Sequence, residues 1–229
     1  YGMRGIPAVA ETVAVAREIL LAAETGCPVH LYQISTSAAV QLVAQAKAAG
    51  VPISCDVGPH HLVLTDEALA TYDPACKLLP PLRPREDVAS LVRGLAAGTI
   101  DCVSTNHTPL TNEESNVEFS IAPWGAVALE TALATLFTYL VWPGHLTLSK
   151  LVEAVSTKPA HLLGLQDGTG TLRPGSAADF TLMDPQTERI VDPSHFLSQG
   201  RNTPLRGRRL RGWPRATFVD GVLVWGDLN

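Results

Sequence analysis

"CPVHLYQISTSAAVQLVAQAKAAGVPISCDVGPHH", residues 27–61, carries the reading of the fold. "CPVHLYQIS" (27–35) is apolar and β-prone, so it reads as a strand. A helix follows from about Ser37 to Ala49, and Gly50 stops it. "VPISCDVGPHH" (51–61) is then a second strand. Strand, helix and strand joined this tightly make a parallel β/α unit.

The same rhythm extends both ways. Upstream, Ala8 to Glu24 is helical, with Val13, Ala16, Ile19 and Leu20 on one face, and Gly26 ends it. Downstream, Thr65 or Asp66 caps a short helix, and "KLLPPLR" (77–83) is extended and fixed by proline. Arg85 to Ala97 is helical and ends at Gly98. "TIDCVSTNH" (99–107) is the next strand, followed by a long loop and a buried helix over 125–140. After Leu165 the pattern changes. "GTLRPGSAADFTLMDP" (170–185) and "RATFVDGVLVWGD" (215–227) are strand-rich, and Asp220-Gly221 marks a hairpin turn. The expected division is an α/β segment over 1–168 and a small β appendage over 169–229. About four β/α units are present where a closed barrel of this kind has eight. A half barrel leaves open sheet edges, so the expectation is part of a longer polypeptide or half of an assembly.

Composition narrows the functional classes. With 46% hydrophobic and 17% charged residues, the chain has the balance of a soluble globular protein. A net charge of −5 gives no general attraction to nucleic acid or to a membrane surface. No apolar run reaches the 18 or so residues of a membrane span, and no signal peptide is evident. Cys27, Cys55, Cys76 and Cys102 form no C-x-x-C pair. They read as buried free thiols of a cytoplasmic protein.

Seven histidines are available. His145 and His195 fall in polar turns and read as surface residues, and His161 as a packed or capping one. His30 and Gln33 are three apart on a strand, which points them to opposite faces. Gln33, His60 and Asn106 each stand at the C-terminal end of a predicted strand. In a parallel barrel those ends converge on one mouth. One imidazole with two amides is poor metal chemistry, because zinc prefers imidazole, thiolate or carboxylate.

Almost the whole chain resembles the C-terminal half of a dihydroorotase, a member of the metal-dependent amidohydrolases. The similar stretches run in order: "GIPAVAETVAVAREILLAAETGCPVHL", "QIST", "PHHLVLT", "PPLR", "GTIDCVSTNHTP", "APWGAVALE", "LVEAVSTKPAHLLGL", "LRPGSAADFTLMDP" and "QGRNTPLRG". The resemblance implies half of a (β/α)8 TIM-type barrel with a small β-sandwich. It also implies a metal site, with the family's leading H-x-H pair unmatched in this chain. At the position of one metal-ligating histidine stands Gln33, whereas His60 keeps another. A substrate-binding asparagine is replaced by Leu79. The aspartate that binds metal and acts as general base is replaced by Asn106, and a substrate-holding histidine by Leu110. These changes resemble those of noncatalytic dihydroorotase-like chains in bacterial aspartate carbamoyltransferase complexes. The implied reading is a pseudoenzyme without cofactor that stabilises the carbamoyltransferase catalytic chains, as a hetero-oligomer with a self-dimer as a further option. The alternative is an active zinc-dependent dihydroorotase with altered ligands.

One further feature stands outside the site. Arg201, Arg206, Arg208, Arg209, Arg211 and Arg215 place 6 of 17 basic residues within "RNTPLRGRRLRGWPR". This is either a solvated loop between β segments or a partner surface centred on Arg206, Arg208, Arg209, Arg211 and Trp213.

Overall fold

The computed structural model describes residues 1–3, 5–165 and 168–228. Helix α1 spans Ala8–Thr25 and ends on left-handed Gly26. The face it buries holds Val15 and Ala22, while Val13 and Leu20 are exposed. The apolar stripe expected from the sequence is therefore rotated, because α1 carries more apolar positions than its contacts with its neighbours cover.

Strands β1 (Val29–Leu31), β2 (Ile53–Val57) and β3 (Cys102–Val103) form a parallel sheet in the order β1-β2-β3. The register pairs His30 with Ser54 and Asp56 with Cys102. Helices α2 (Ser37–Ala48) and α3 (Arg85–Ala97) are the crossovers, and the side chain of Thr36 caps α2 by accepting from Ala39 N. Alternation decides the two faces of β2. Ile53, Cys55 and Val57 join one core cluster with Val40, Val43, Leu91, Leu95 and Ile100, while Ser54 and Asp56 point the other way and bond His30. The segment 77–83 pairs with no strand of this sheet and contains the cis peptide Leu79–Pro80. Among the described residues the parallel sheet thus has three strands, one fewer than the units counted from sequence.

A short helix α4 (Asn112–Ser115) lies in the long loop after β3, closed by a capping box of Thr111 and Glu114. The expected helix over 125–140 starts only at Ala132: α5 covers Ala132–Leu136 and continues as a π-helical turn, Phe137–Val141. Residues 125–128 have other partners. Thr108 N donates to Ala126 O (2.9 Å) and Val127 N to Asn202 O (2.8 Å), so tertiary hydrogen bonds displace the helix that local apolar content favours. Helix α6 (Leu148–Val152), a second π-helical turn (Glu153–Thr157) and α7 (Lys158–Leu162) follow. His161 on α7 is exposed rather than packed.

Strands β4 (Phe180–Ile190), β5 (Arg209–Val219) and β6 (Val222–Gly226) form an antiparallel sheet in the order β4-β5-β6. Asp220 and Gly221 both have positive φ, as a tight hairpin turn requires. Where the sequence suggested strand from 170, pairing begins only at Phe180. The arginine-rich stretch is not simply a loop either: Arg209, Arg211 and Trp213 lie within β5. Leu210 of β5, with Val191 and Leu205 from the connection between β4 and β5, packs this part of the chain on Leu64, Leu78, Ala126 and Ala134. Gly212 sits so close to Phe137 that a Cβ there would lie 2.4 Å from the ring.

Cys55, Cys76 and Cys102 are buried free thiols, but Cys27 is exposed, because β1 begins two residues after it. No described helix is long and apolar enough to cross a membrane.

Candidate functional site

The parallel order of β1, β2 and β3 puts their C-terminal ends on one edge of the sheet, and the expected site residues follow those ends. Gln33 comes two residues after β1, His60 three after β2 and Asn106 three after β3. Gln33 (φ 57°) and Asn106 (φ 51°) are two of the four non-glycine residues with positive φ among the described residues. Asparagine tolerates that region and glutamine does so less readily. Strain of this kind collects at functional sites, where the surrounding structure must hold it in place.

What holds Gln33 is Asp56. The buried Asp56 carboxylate accepts from Gln33 N (2.9 Å) and Ser104 Oγ (2.6 Å) through Oδ1, and Oδ2 lies 3.0 Å from His30 Nε2. Gln33 Nε2 in turn donates to Ser104 Oγ (3.3 Å). His30 through its ring and Gln33 through its backbone N–H therefore meet one carboxylate, while the Gln33 side chain turns to Ser104. The strand stops at Leu31, and the left-handed turn at Gln33 swings the chain back. The next residues are anchored from α1. Glu11 accepts from Ser35 N (2.7 Å), Thr36 N (3.0 Å), Thr36 Oγ1 (3.0 Å) and the Ser35 hydroxyl. Arg83 pairs with Glu11 (3.5 Å) and donates to Ser35 Oγ and Ile6 O.

His60 lies in the 3-10 turn Pro59–Leu62 and is 1% exposed. Burial, with the neighbouring His61 adding a smaller push, lowers its pKa from 6.5 to about 3. Both of its ring nitrogens are buried without a hydrogen-bond partner among the described residues. Burial also lowers the pKa of His61, whose Nε2 lies 2.8 Å from Pro80 O. Asn106 packs beside this turn: a Cβ placed on Gly58 would lie 3.5 Å from Asn106 Cβ.

The structure joins two of the altered positions directly, since Asn106 Nδ2 donates to Leu79 O (3.3 Å). The Leu79 side chain is 52% exposed. Leu110 is held elsewhere, its N–H donating to Asn202 Oδ1 (3.0 Å). Asn202 Nδ2 reaches Thr108 O and Gly125 O, both at 3.0 Å. Asn202 thus clamps the loop after β3, a role the sequence reading missed although the residue lies inside the quoted "QGRNTPLRG". His107 was also passed over as a structural residue: its Nδ1 accepts from Ala128 N and Leu129 N, both at 3.2 Å.

The proposed partner residues are largely engaged within the chain. Arg211 pairs with Glu188 (2.6 Å) and stacks 4.4 Å over Trp142. Arg209 also pairs with Glu188 (3.1 Å), and Arg208 donates to Tyr139 Oη (3.2 Å). Trp213 donates to Leu210 O (2.8 Å), and Arg206 makes one long bond to Arg201 O (3.4 Å).

The donor set can now be weighed for a catalytic zinc. Of Gln33, His60 and Asn106, only His60 offers a strong ligand, because a neutral side-chain amide can give zinc only its weak carbonyl oxygen. Among the described residues no three His, Cys, Asp or Glu side chains gather as a metal site. These residues do not fit a zinc ion.

Comparison with known proteins decides the family. The model of the amidohydrolase family matches residues 3–224. The chain belongs to the amidohydrolase family. Among curated relatives of this amidohydrolase-family chain, the dihydroorotase of Pelotomaculum thermopropionicum is 50% identical over 226 residues, covering 99% of this chain and 52% of that protein. The dihydroorotase of Anoxybacillus flavithermus is 46% identical over 225 residues, covering 98% and 52%. Among solved structures, L-hydantoinase (dihydropyrimidinase) from Arthrobacter aurescens superimposes with a TM-score of 0.91 at 33% identity, covering 96% of this chain and 49% of that one. Dihydropyrimidinase from Brevibacillus agri gives 0.90 at 28%, with coverage of 96% and 49%. The chain spans about half the length of the relatives it matches.

Proposed function

We propose that this chain is a catalytically inactive, dihydroorotase-like protein, acting as a noncatalytic structural subunit that stabilises the aspartate carbamoyltransferase assembly in pyrimidine biosynthesis. The observation that carries this reading is Asn106. It occupies the strand-end position where the resembling enzymes place a carboxylate, and its amide donates to Leu79 O. An amide takes up no proton at neutral pH, and loss of a general base alone lowers a rate by roughly 10²–10⁴. Gln33 weakens metal binding further, and Leu79 and Leu110 set hydrocarbon where a polar substrate needs partners. In this reading residues 1–168 are the later half of a barrel, residues 169–229 belong to the β-sandwich, and the protein works in the cytoplasm without a metal cofactor. It has no role in binding nucleic acid or membranes.

A second reading, an active zinc-dependent dihydroorotase, is favoured by two observations. His60 keeps two buried, unpartnered ring nitrogens, and curated relatives at 46–50% identity carry the name dihydroorotase. One preparation separates the two readings. The intact protein, purified from its host, is assayed for zinc, for dihydroorotate hydrolysis and for co-elution with the carbamoyltransferase. The noncatalytic subunit gives co-elution without zinc or turnover. Stoichiometric zinc with chelator-sensitive turnover sinks it.

A further inference from the structure

Outside the strand-end site, a cleft of about 450 Å³ opens between the turn at Asp73, the α4 loop and the segment around Asn202. Its volume lies in the range of small-molecule sites. Two arginines, Arg201 and Arg206, line it together with the amides of Asn112 and Asn116. The guanidiniums are spent on backbone carbonyls. Arg201 Nη1 donates to Ser198 O and to Gly200 O (3.1 Å), and Arg206 Nη2 reaches Arg201 O at 3.4 Å. Neutral acceptors leave the formal charge of Arg201 in place, Arg206 also acts on the Asp192 carboxylate outside the lining, and each has further N–H groups to offer. Asp73 is the carboxylate of the lining, and its Oδ1 accepts from Ala75 N (2.9 Å). The lining is therefore net positive on a chain whose formal charge is −5.

We infer that this cleft is a binding site for a small oxyanion, a carboxylate or a phosphate, held by Arg201 and Arg206. The amides of Asn112 and Asn116 supply neutral hydrogen bonds, and Asp73 favours a ligand that also carries a hydroxyl or ammonium donor. Arginine suits this task because its planar fork meets both oxygens of a carboxylate or phosphate. The cleft also abuts the strand-end site. Asn202 lines it, and the same side chain holds Leu110 N, Thr108 O and Gly125 O. The inference does not depend on whether the strand-end site is active, since its test involves no hydrolysis.

The test uses the intact protein and two probes, inorganic phosphate and succinate, titrated at constant ionic strength against chloride. Thermal shift and calorimetry are read for the wild type, Arg206→Gln and Asn116→Ala. Arg206 is exposed and makes a single long bond, so its replacement leaves the fold intact by circular dichroism. The expected result is saturable binding that Arg206→Gln weakens by about tenfold or more, with a smaller loss in Asn116→Ala. Binding of phosphate alone identifies a phosphoryl ligand, and binding of succinate alone a carboxylate. No saturable binding of either probe, or equal binding by Arg206→Gln, overturns the inference.

Discussion

The backbone N–H of Leu110 donates to the side chain of Asn202, 92 residues further along the chain, over 3.0 Å. The same amide group bonds Thr108 O and Gly125 O, so one side chain from the C-terminal segment sets the shape of the loop after β3. Asn202→Ala leaves three backbone groups without their partner. With unsatisfied groups costing about 1–3 kcal/mol each before water relieves them, a loss of about 3 kcal/mol is expected. Urea unfolding measures it, and a change under 1 kcal/mol would show that the clamp is dispensable.

Variants at the strand ends test the inactivity proposed above. The double variant Gln33→His with Asn106→Asp returns a ligand and a carboxylate but leaves Leu79 and Leu110 in place. Dihydroorotate hydrolysis by this variant is expected to stay near background, and to rise only when both leucines are also replaced by polar residues. Substantial turnover in the double variant would show that the leucines matter little.

His60 makes stability depend on pH. Its pKa is 6.5 when unfolded and about 3 when folded, so the folded state favours the neutral ring. A depressed folded value means that this contribution is complete above pH 6.5 and is lost as pH falls toward 3. Between pH 7 and pH 4.5 the His60 share of the loss is about 2–3 kcal/mol. His60→Leu should flatten that part of the profile in urea melts at the two pH values. An unchanged slope would place the acid sensitivity elsewhere.

Thiol labelling reads the burial of the cysteines. Burial raises Cys55 and Cys102 to about 12 and Cys76 to about 11, so all three are protonated at neutral pH. Cys27 is exposed. In the native protein at pH 8, one equivalent of a chromogenic disulfide reagent should react quickly, and Cys27→Ser should abolish that phase. In denaturant all four thiols react. Fast labelling of two or more in the native state would contradict the buried positions.

Arg211 tests whether the basic stretch serves the fold or a partner. Its stack on Trp142 and its pair with Glu188 join β5 to the turn after α5 and to β4. Arg211→Ala is expected to lower stability by about 1–2 kcal/mol, and to leave unchanged whatever co-elution with the carbamoyltransferase the wild type shows in the test of the proposed function. Loss of co-elution at unchanged stability would return Arg211 to the partner surface.

Much of this arrangement was legible in the sequence, for reasons that differ by element. The helix Arg85–Ala97 begins and ends where Pro84 and Gly98 punctuate it, and the Asp220-Gly221 turn carries its own backbone preference. These are local signals. The start of α5 was not legible, because residues 125–128 are drawn away by Asn202 and Thr108. The positions of Gln33, His60 and Asn106 on one sheet edge followed from parallel strands. The convergence of His30 and Gln33 on Asp56 did not, since it depends on a left-handed turn at a glutamine. Cys27 looked buried because its neighbours are apolar, yet the strand starts after it.

The left-handed backbone at Asn106 has a consequence for how such a site changes over time. Asparagine and aspartate are nearly the same shape, and both accept that conformation. Exchanging one oxygen for an NH₂ at this position is compatible with the same turn and the Gly58 contact, and adds the one bond a carboxylate cannot make, the donation to Leu79 O. On the reading proposed above, the exchange of a carboxylate for an amide at this turn therefore alters its chemistry while asking little of the backbone that carries it.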